Sequence, residues 1–170
     1  GGLGALSMLR KGKIQVGQDV LVIGASGGVG AFAVQLAKYF GATVSGVCGT
    51  ANVTWVQSLG VDHVIDYSQE DILRSGNQYD LIFDAAGKKI SKLSKSKCKH
   101  LLKPGGEFVS IEMPYKEKTA DLEFLKTLIE AGEVRSVIDR VYTLEDIAEA
   151  HRYFESGNKK GNIVIEVVKD

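Results

Sequence analysis

The sequence predicts an α/β protein with a Rossmann-type, doubly wound parallel sheet of about five strands, followed by C-terminal helix and strand elements. Three observations carry that prediction. Short apolar runs alternate with helix-periodic segments from Val20 to Ile111. The first run, Val20-Leu21-Val22-Ile23, feeds straight into the glycine cluster Gly24-Ala25-Ser26-Gly27-Gly28-Val29-Gly30. A helical pattern starts at once, with Phe32, Ala33, Leu36, Ala37 and Phe40 recurring on one face.

The remaining elements follow in order. Residues 43–48 read as the second strand and 52–59 as a helix; 61–65 read as the third strand and 71–74 as a helical turn. Leu81-Ile82-Phe83 is the fourth strand, and 90–102 a helix closed by the breaker Pro104-Gly105-Gly106. Residues 108–111 are the fifth strand. Strands alternating with helices imply right-handed crossovers and a sheet covered on both faces, which near-continuous apolar strands require. Leu122, Phe124, Leu125, Leu128 and Ile129 then mark an amphipathic helix ending at Gly132. Residues 137–141 form a strand, and Thr143 caps a helix over 144–154 with Glu145 and Asp146 in its first turn. Gly161-Asn162 leads into a strand over 163–168, and these two late strands are candidates for a separate sheet. The expected division is a dinucleotide-binding domain over 1–133 and a strand–helix–strand segment over 134–170.

A chain of 170 residues with 44% hydrophobic and 25% charged residues has the composition of one globular domain. A net charge of zero recruits neither nucleic acid nor an anionic membrane, and no apolar run approaches the ~20 residues of a membrane span. Cys48 and Cys98 lack a C-x-x-C partner and fit a reduced, cytoplasmic protein; Cys48 falls in a predicted core strand as an inert thiol.

Strand, glycine turn and helix in this order cradle a pyrophosphate. Glycines let backbone N–H groups approach the phosphates, and the helix start adds partial positive charge. Gly24, Ser26, Gly27, Gly28, Val29 and Gly30 are therefore the expected phosphate loop, and its context is the one the motif demands. NAD-selective domains place an acid at the end of strand two. Here that turn reads Gly49-Thr50-Ala51-Asn52, without a carboxylate. NADPH is favoured over NADH on that ground, although no Arg or Lys stands at the turn to pair its extra phosphate.

Gly24-Ala-Ser-Gly-Gly-Val-Gly30, Leu59-Gly-Val-Asp-His-Val-Ile-Asp-Tyr67 and Tyr79-Asp-Leu-Ile-Phe-Asp-Ala-Ala-Gly87 together resemble the medium-chain dehydrogenase/reductase superfamily. The nearest resemblance is to its zinc-free quinone oxidoreductase branch, related to zeta-crystallin. Leu128-Ile-Glu-Ala-Gly132, Val137-Ile-Asp-Arg140 and Ala148-Glu-Ala-His-Arg-Tyr-Phe154 extend it over nearly the whole chain. The resemblance implies that Gly27, Gly28 and Val29 face the pyrophosphate, and that Gly49, Thr50 and Asn52 surround the 2′-phosphate. It also implies that Tyr67 lies near the adenosine and that Ala85 and Ser110 line the nicotinamide side.

The same resemblance implies hydride transfer from NADPH to a small-molecule quinone or activated enone in a whole enzyme. An N-terminal GroES-like domain would supply most of that enzyme's cleft, so this chain reads as the cofactor-binding half, inactive by itself, with no catalytic residue named. Three departures stand out. Gly4 occupies the threonine position of a G-L-T-A pattern; no basic residue stands around 51–53; and only 112–120 separates strand five from the next helix, where the superfamily adds a helix and a sixth strand. The last departure leaves homodimer formation open.

Blander readings stand beside these. His63, His100 and His151 share no metal spacing with Cys, Asp or Glu. Asp84 reads as a loop brace before a catalytic acid, and Asp66-Tyr67 as either an adenosine contact or a packed loop pair. The run 88–103 holds seven lysines without interleaved aromatics, a solvated face before a nucleic-acid site. Alternative functions are the cofactor domain of a zinc-type alcohol dehydrogenase or enoyl reductase, and a non-catalytic nucleotide-sensing or RNA-binding module.

Overall fold

The computed structural model describes residues 1–157 and 159–167. A helix α1 (Gly2–Lys11) precedes the strand–helix series β1 (Asp19–Ile23), α2 (Gly28–Tyr39), β2 (Thr43–Cys48), α3 (Val53–Gln57), β3 (His63–Asp66) and β4 (Tyr79–Asp84). Then come α4 (Lys88–Ser91), β5 (Leu102–Ser110), α5 (Thr119–Glu130), β6 (Ile138–Thr143), α6 (Ile147–Glu155) and β7 (Asn162–Glu166). The first five strands form one parallel sheet in the order β3-β2-β1-β4-β5. Chain direction along the sheet reverses between β1 and β4, the switch point outside which open α/β sheets hold their ligands.

Alternation along β1 explains the layers. Val20 and Val22 point to one face with Leu6, Leu9, Val34, Leu36, Phe83, Leu125 and Leu128, the cluster under α1, α2 and α5. Leu21 and Ile23 point to the other, with Val47, Ile65, Ile82, Cys98, Leu101 and Phe108. Side chains as large as Phe83 are wholly buried, each worth about 1.5–3 kcal/mol of transfer free energy.

The late strands do form their own sheet: β6 and β7 pair in parallel. A bridge between Gly27 and Gly161 ties it to the glycine turn. The strand expected over 163–168 begins at Asn162 and runs to Glu166; Val168 lies outside the described residues.

Three expectations are corrected. The helix expected over 90–102 is broken: α4 stops at Ser91, Lys92 turns left-handed at φ 57°, and a 3-10 turn spans Lys99–Leu101. Serine hydroxyls compete for the helix donors there, Leu93 N–H bonding Ser91 Oγ at 3.2 Å and Lys97 N–H bonding Ser94 Oγ at 3.4 Å. Pro104-Gly105-Gly106 lies inside the edge strand β5, where the pairing with β4 shifts register, so proline's missing donor is tolerated. Helix α6 starts at Ile147 with Asp146 at its N-cap, and Thr143 Oγ1 donates to Asp146 Oδ2 at 3.0 Å instead of capping a helix itself.

Candidate functional site: the carboxyl edge of the sheet

The expected cofactor-site residues fall in three groups at the carboxyl ends of the strands. The first is the glycine turn after β1. Gly24 takes φ 78° while its N–H and that of Ala25 bond the Val47 carbonyl at 3.1 and 3.0 Å. Gly27 N–H closes the turn on the Gly24 carbonyl at 3.1 Å. The first backbone bond of α2 runs from Ala31 N–H to the Gly27 carbonyl at 2.8 Å, so the N–H groups of Gly28, Val29 and Gly30 are those a helix start leaves for an anion.

Two of these glycines are demanded by packing. A Cβ on Gly30 would lie 2.0 Å from the Gly24 carbonyl oxygen, and one on Gly28 would lie 2.6 Å from Asn162 Oδ1. A Cβ on Gly27 would meet only the Gly24 carbonyl oxygen at 3.5 Å, so that side of the turn is open.

The contact at Gly28 exposes a group that sequence reasoning missed. Gly161 N–H donates to the Ser26 carbonyl at 2.9 Å, and Asn162 binds the Val137 carbonyl through both its backbone N–H (2.8 Å) and Nδ2 (3.2 Å). Lys159 Nζ donates to the Gly161 carbonyl at 2.9 Å, and burial pushes its ammonium below the usual lysine range. The Gly-Asn pair before the last strand was the available signal; nothing local in it says that it seats against residues over a hundred positions earlier.

The second group lies where β2 and β3 end. Gly49 is followed by a 3-10 turn over Thr50–Asn52, closed by Asn52 N–H on the Gly49 carbonyl at 2.9 Å. Register places Asp66 opposite Cys48. Thr50 Oγ1 donates to Asp66 Oδ2 at 2.6 Å, and Ser68 N–H donates to Asp66 Oδ1 at 2.9 Å. Tyr67 Oη closes over Gly49, 2.9 Å from where a Cβ would stand. The Thr50 bond, with help from Ser68, holds the Asp66 carboxyl below the usual carboxylate range.

The third group is Ala85 and Ser110, after β4 and at the end of β5. Ala85 N–H bonds the Ile23 carbonyl at 3.0 Å, and Ser110 is buried. Between them Asp84 is a brace: it is 1% exposed, accepts from Gly87 N–H at 3.0 Å and from Ser91 Oγ at 2.8 Å, and burial pushes its carboxyl up. Gly4 of α1 sits under Ile111 and Tyr115, whose Cδ1 and Oη would lie 2.8 and 3.1 Å from an added Cβ. An apolar groove of about 530 Å³ opens beside it, lined by Gly2, Gly4, Phe32, Tyr115, Leu125 and Ile129 among others.

The lysine run is partly engaged internally. Lys103 pairs with Asp19 at 2.6 Å and Asp80 at 2.8 Å, and Lys95 with Glu107 at 3.5 Å.

Residues 28–156 match the family profile described as zinc-binding dehydrogenase. The chain belongs to that family. Its resemblance to the medium-chain dehydrogenase/reductases holds across known proteins. It is 29% identical to the mitochondrial NAD(P)H oxidoreductase RTN4IP1 of Danio rerio, over 89% of this chain and 49% of that one. It is 34% identical to a chloroplast envelope quinone oxidoreductase homolog of Arabidopsis thaliana, over 87% of this chain and 52% of the relative. Among solved structures, the quinone oxidoreductase of Coxiella burnetii superposes with a TM-score of 0.81 at 25% identity, covering 98% of this chain and 58% of the other. The cobalt- and zinc-bound alcohol dehydrogenase of Pyrobaculum aerophilum does so at 0.83 and 25%, over 98% and 55%. The chain thus spans about half the length of the relatives it matches. It is an α/β oxidoreductase-family domain, and its relatives include an NAD(P)H oxidoreductase and an NADPH-dependent alkenal/one oxidoreductase.

Among the described residues, no three His, Cys, Asp or Glu side chains gather where a metal ion could be held. Among the same residues, no helix is long and apolar enough to cross a membrane.

Proposed function

We propose that this chain is the dinucleotide-binding part of an oxidoreductase that reduces a quinone or an activated enone. The observation that carries the reading is the glycine turn, whose Gly28–Gly30 N–H groups lie at the start of α2 while Gly24, Gly28 and Gly30 leave no room for side chains. The bound dinucleotide would supply a hydride to an electrophilic carbon of the acceptor, whose oxygen or adjacent carbon would take up a proton. The chain's own residues bind and orient. The α2 start takes the pyrophosphate, Gly49, Thr50, Asn52 and Tyr67 surround the adenosine ribose, and Ala85 and Ser110 flank the nicotinamide.

Names of relatives support the acceptor class: a 2-methylene-furan-3-one reductase of Solanum lycopersicum is 31% identical over 94% of this chain, and the quinone oxidoreductase homolog is named above. NADPH, the form favoured by the missing acid after β2, is named for an alkenal/one oxidoreductase of Arabidopsis thaliana that is 31% identical. The 2′-position is the finer question and turns on Asp66. In the same proposal residues 134–170 would complete a substrate domain outside this chain, as a cytoplasmic enzyme able to pair as a homodimer.

Calorimetric titration of the chain with NADPH and with NADH tests the reading. Saturable one-site binding of either supports it. A folded chain that binds neither refutes it.

A further inference from the structure

We propose that Asp66 sets the cofactor preference of this chain, and sets it toward NADH. The assignment rests on the dinucleotide reading above and goes beyond it. Strand β2 ends without the acid that grips ribose hydroxyls in NAD-selective domains, but the neighbouring strand supplies one. Asp66 stands opposite Cys48 in the β2–β3 register, so its carboxylate reaches the Gly49–Asn52 turn from one strand over. It is fixed there. Thr50 Oγ1 holds one oxygen at 2.6 Å and Ser68 N–H the other at 2.9 Å, while Tyr67 Oη closes the same turn over Gly49.

Each carboxylate oxygen has lone pairs beyond the one these donors use, so it can accept from a ribose 2′-hydroxyl. A 2′-phosphate brings between one and two negative charges to the same place. The segment that carries Asp66 supplies no cation to offset them. Between Lys38 and Arg74 the sequence holds no Lys or Arg and four acids, Asp62, Asp66, Glu70 and Asp71. The two flanking cations are engaged, Lys38 with Asp62 at 2.8 Å and Arg74 with Asp71 at 3.5 Å. The absence of an acid at the end of β2, which suggested NADPH from sequence, is therefore made good from β3.

The test uses the 170-residue chain and reads binding through its single tryptophan, Trp55 in α3, as energy transfer to the reduced nicotinamide. NADH is expected to bind roughly tenfold tighter than NADPH at low salt, the scale of one or two exposed charge pairs at a few ångströms, and the gap should narrow as salt screens it. Asp66→Asn retains groups that can bond Thr50 and Ser68, so it should melt like the unaltered chain while the preference shrinks to about threefold or less. Glu70→Gln, removing an exposed acid of the same segment, should leave the preference in place. NADPH binding as tightly as NADH, an unmoved ratio in Asp66→Asn, or an equal shift in Glu70→Gln would each overturn the assignment of Asp66. Failure of both dinucleotides to bind would refute the cofactor function itself.

Discussion

Alanine at Gly30 would place a Cβ 2.0 Å from the Gly24 carbonyl oxygen, 2.7 Å from that carbonyl carbon and 2.8 Å from Ala25 Cα. All three contacts are backbone, so the strain cannot be relieved by turning a side chain. Overpacking of this kind costs about 1–3 kcal/mol, and the turn, anchored to β2 through the Val47 carbonyl, belongs at the upper end. Of the ~5–15 kcal/mol that holds a domain folded, a loss near 3 is large. It corresponds to a fall of roughly 6–12 °C in melting temperature for a chain this size.

Gly27→Ala is the matched control. Its backbone, at φ −80° and ψ 171°, suits alanine, and the nearest atom to the new Cβ is 3.5 Å away. Stability should drop by only about 0.5–1 kcal/mol, the preference of an N-cap for Gly over Ala and well short of the Gly30→Ala loss. The methyl group would nonetheless occupy the open side of the turn, and dinucleotide affinity should fall by about tenfold or more. Thermal melts followed by circular dichroism, paired with calorimetry, separate the two effects. A Gly30→Ala protein melting with the unaltered chain, or a Gly27→Ala protein binding normally, would refute the reasoning about how this turn is built.

Other expectations follow from buried groups. Burial, with the nearby Asp66 charge, pushes the Cys48 thiol to about 11, and burial also raises Cys98; both should resist a thiol reagent at mildly alkaline pH until the chain is unfolded. Burial raises the Asp84 carboxyl in the folded chain, so its stabilising contribution is full below the unfolded pKa of ~3.9 and is lost as pH rises through the folded value. Asp84→Asn should therefore gain stability relative to the unaltered chain as melts are repeated from about pH 4 to about pH 7; a constant difference would contradict the burial argument. Arg10 pairs with the buried Asp121 and lies over the Phe124 ring at 5.2 Å, so Arg10→Ala strands a carboxylate and should cost about 1–3 kcal/mol in urea unfolding.

What could be read in the sequence, and what could not, divides by the range of the interaction responsible. The five parallel strands and the glycine turn were legible because each signal is local: an apolar run long enough to bury both faces, and glycines wherever backbone meets backbone. The helix expected over 90–102 fails for a local reason: its apolar spacing is outweighed by three serines, Ser91, Ser94 and Ser96, in a lysine-rich run. The groups left open or missed at the site are of another kind. Asp66 reads equally as an adenosine contact or a packed loop residue until the β2–β3 register sets it across from Cys48 and Thr50 binds it. Gly161 and Asn162 look like the ordinary start of a strand until the second sheet docks on Ser26 and Gly28.

Both concern how the cofactor site is finished once its phosphate loop is in place. A glycine motif specifies that a pyrophosphate can be held, because that depends on backbone donors the motif itself positions. It does not specify which ribose is accepted, because that depends on charges brought by neighbouring strands. Here the segment from Lys38 to Arg74 makes that neighbourhood acidic, and the short turn after β2, read alone, points the opposite way.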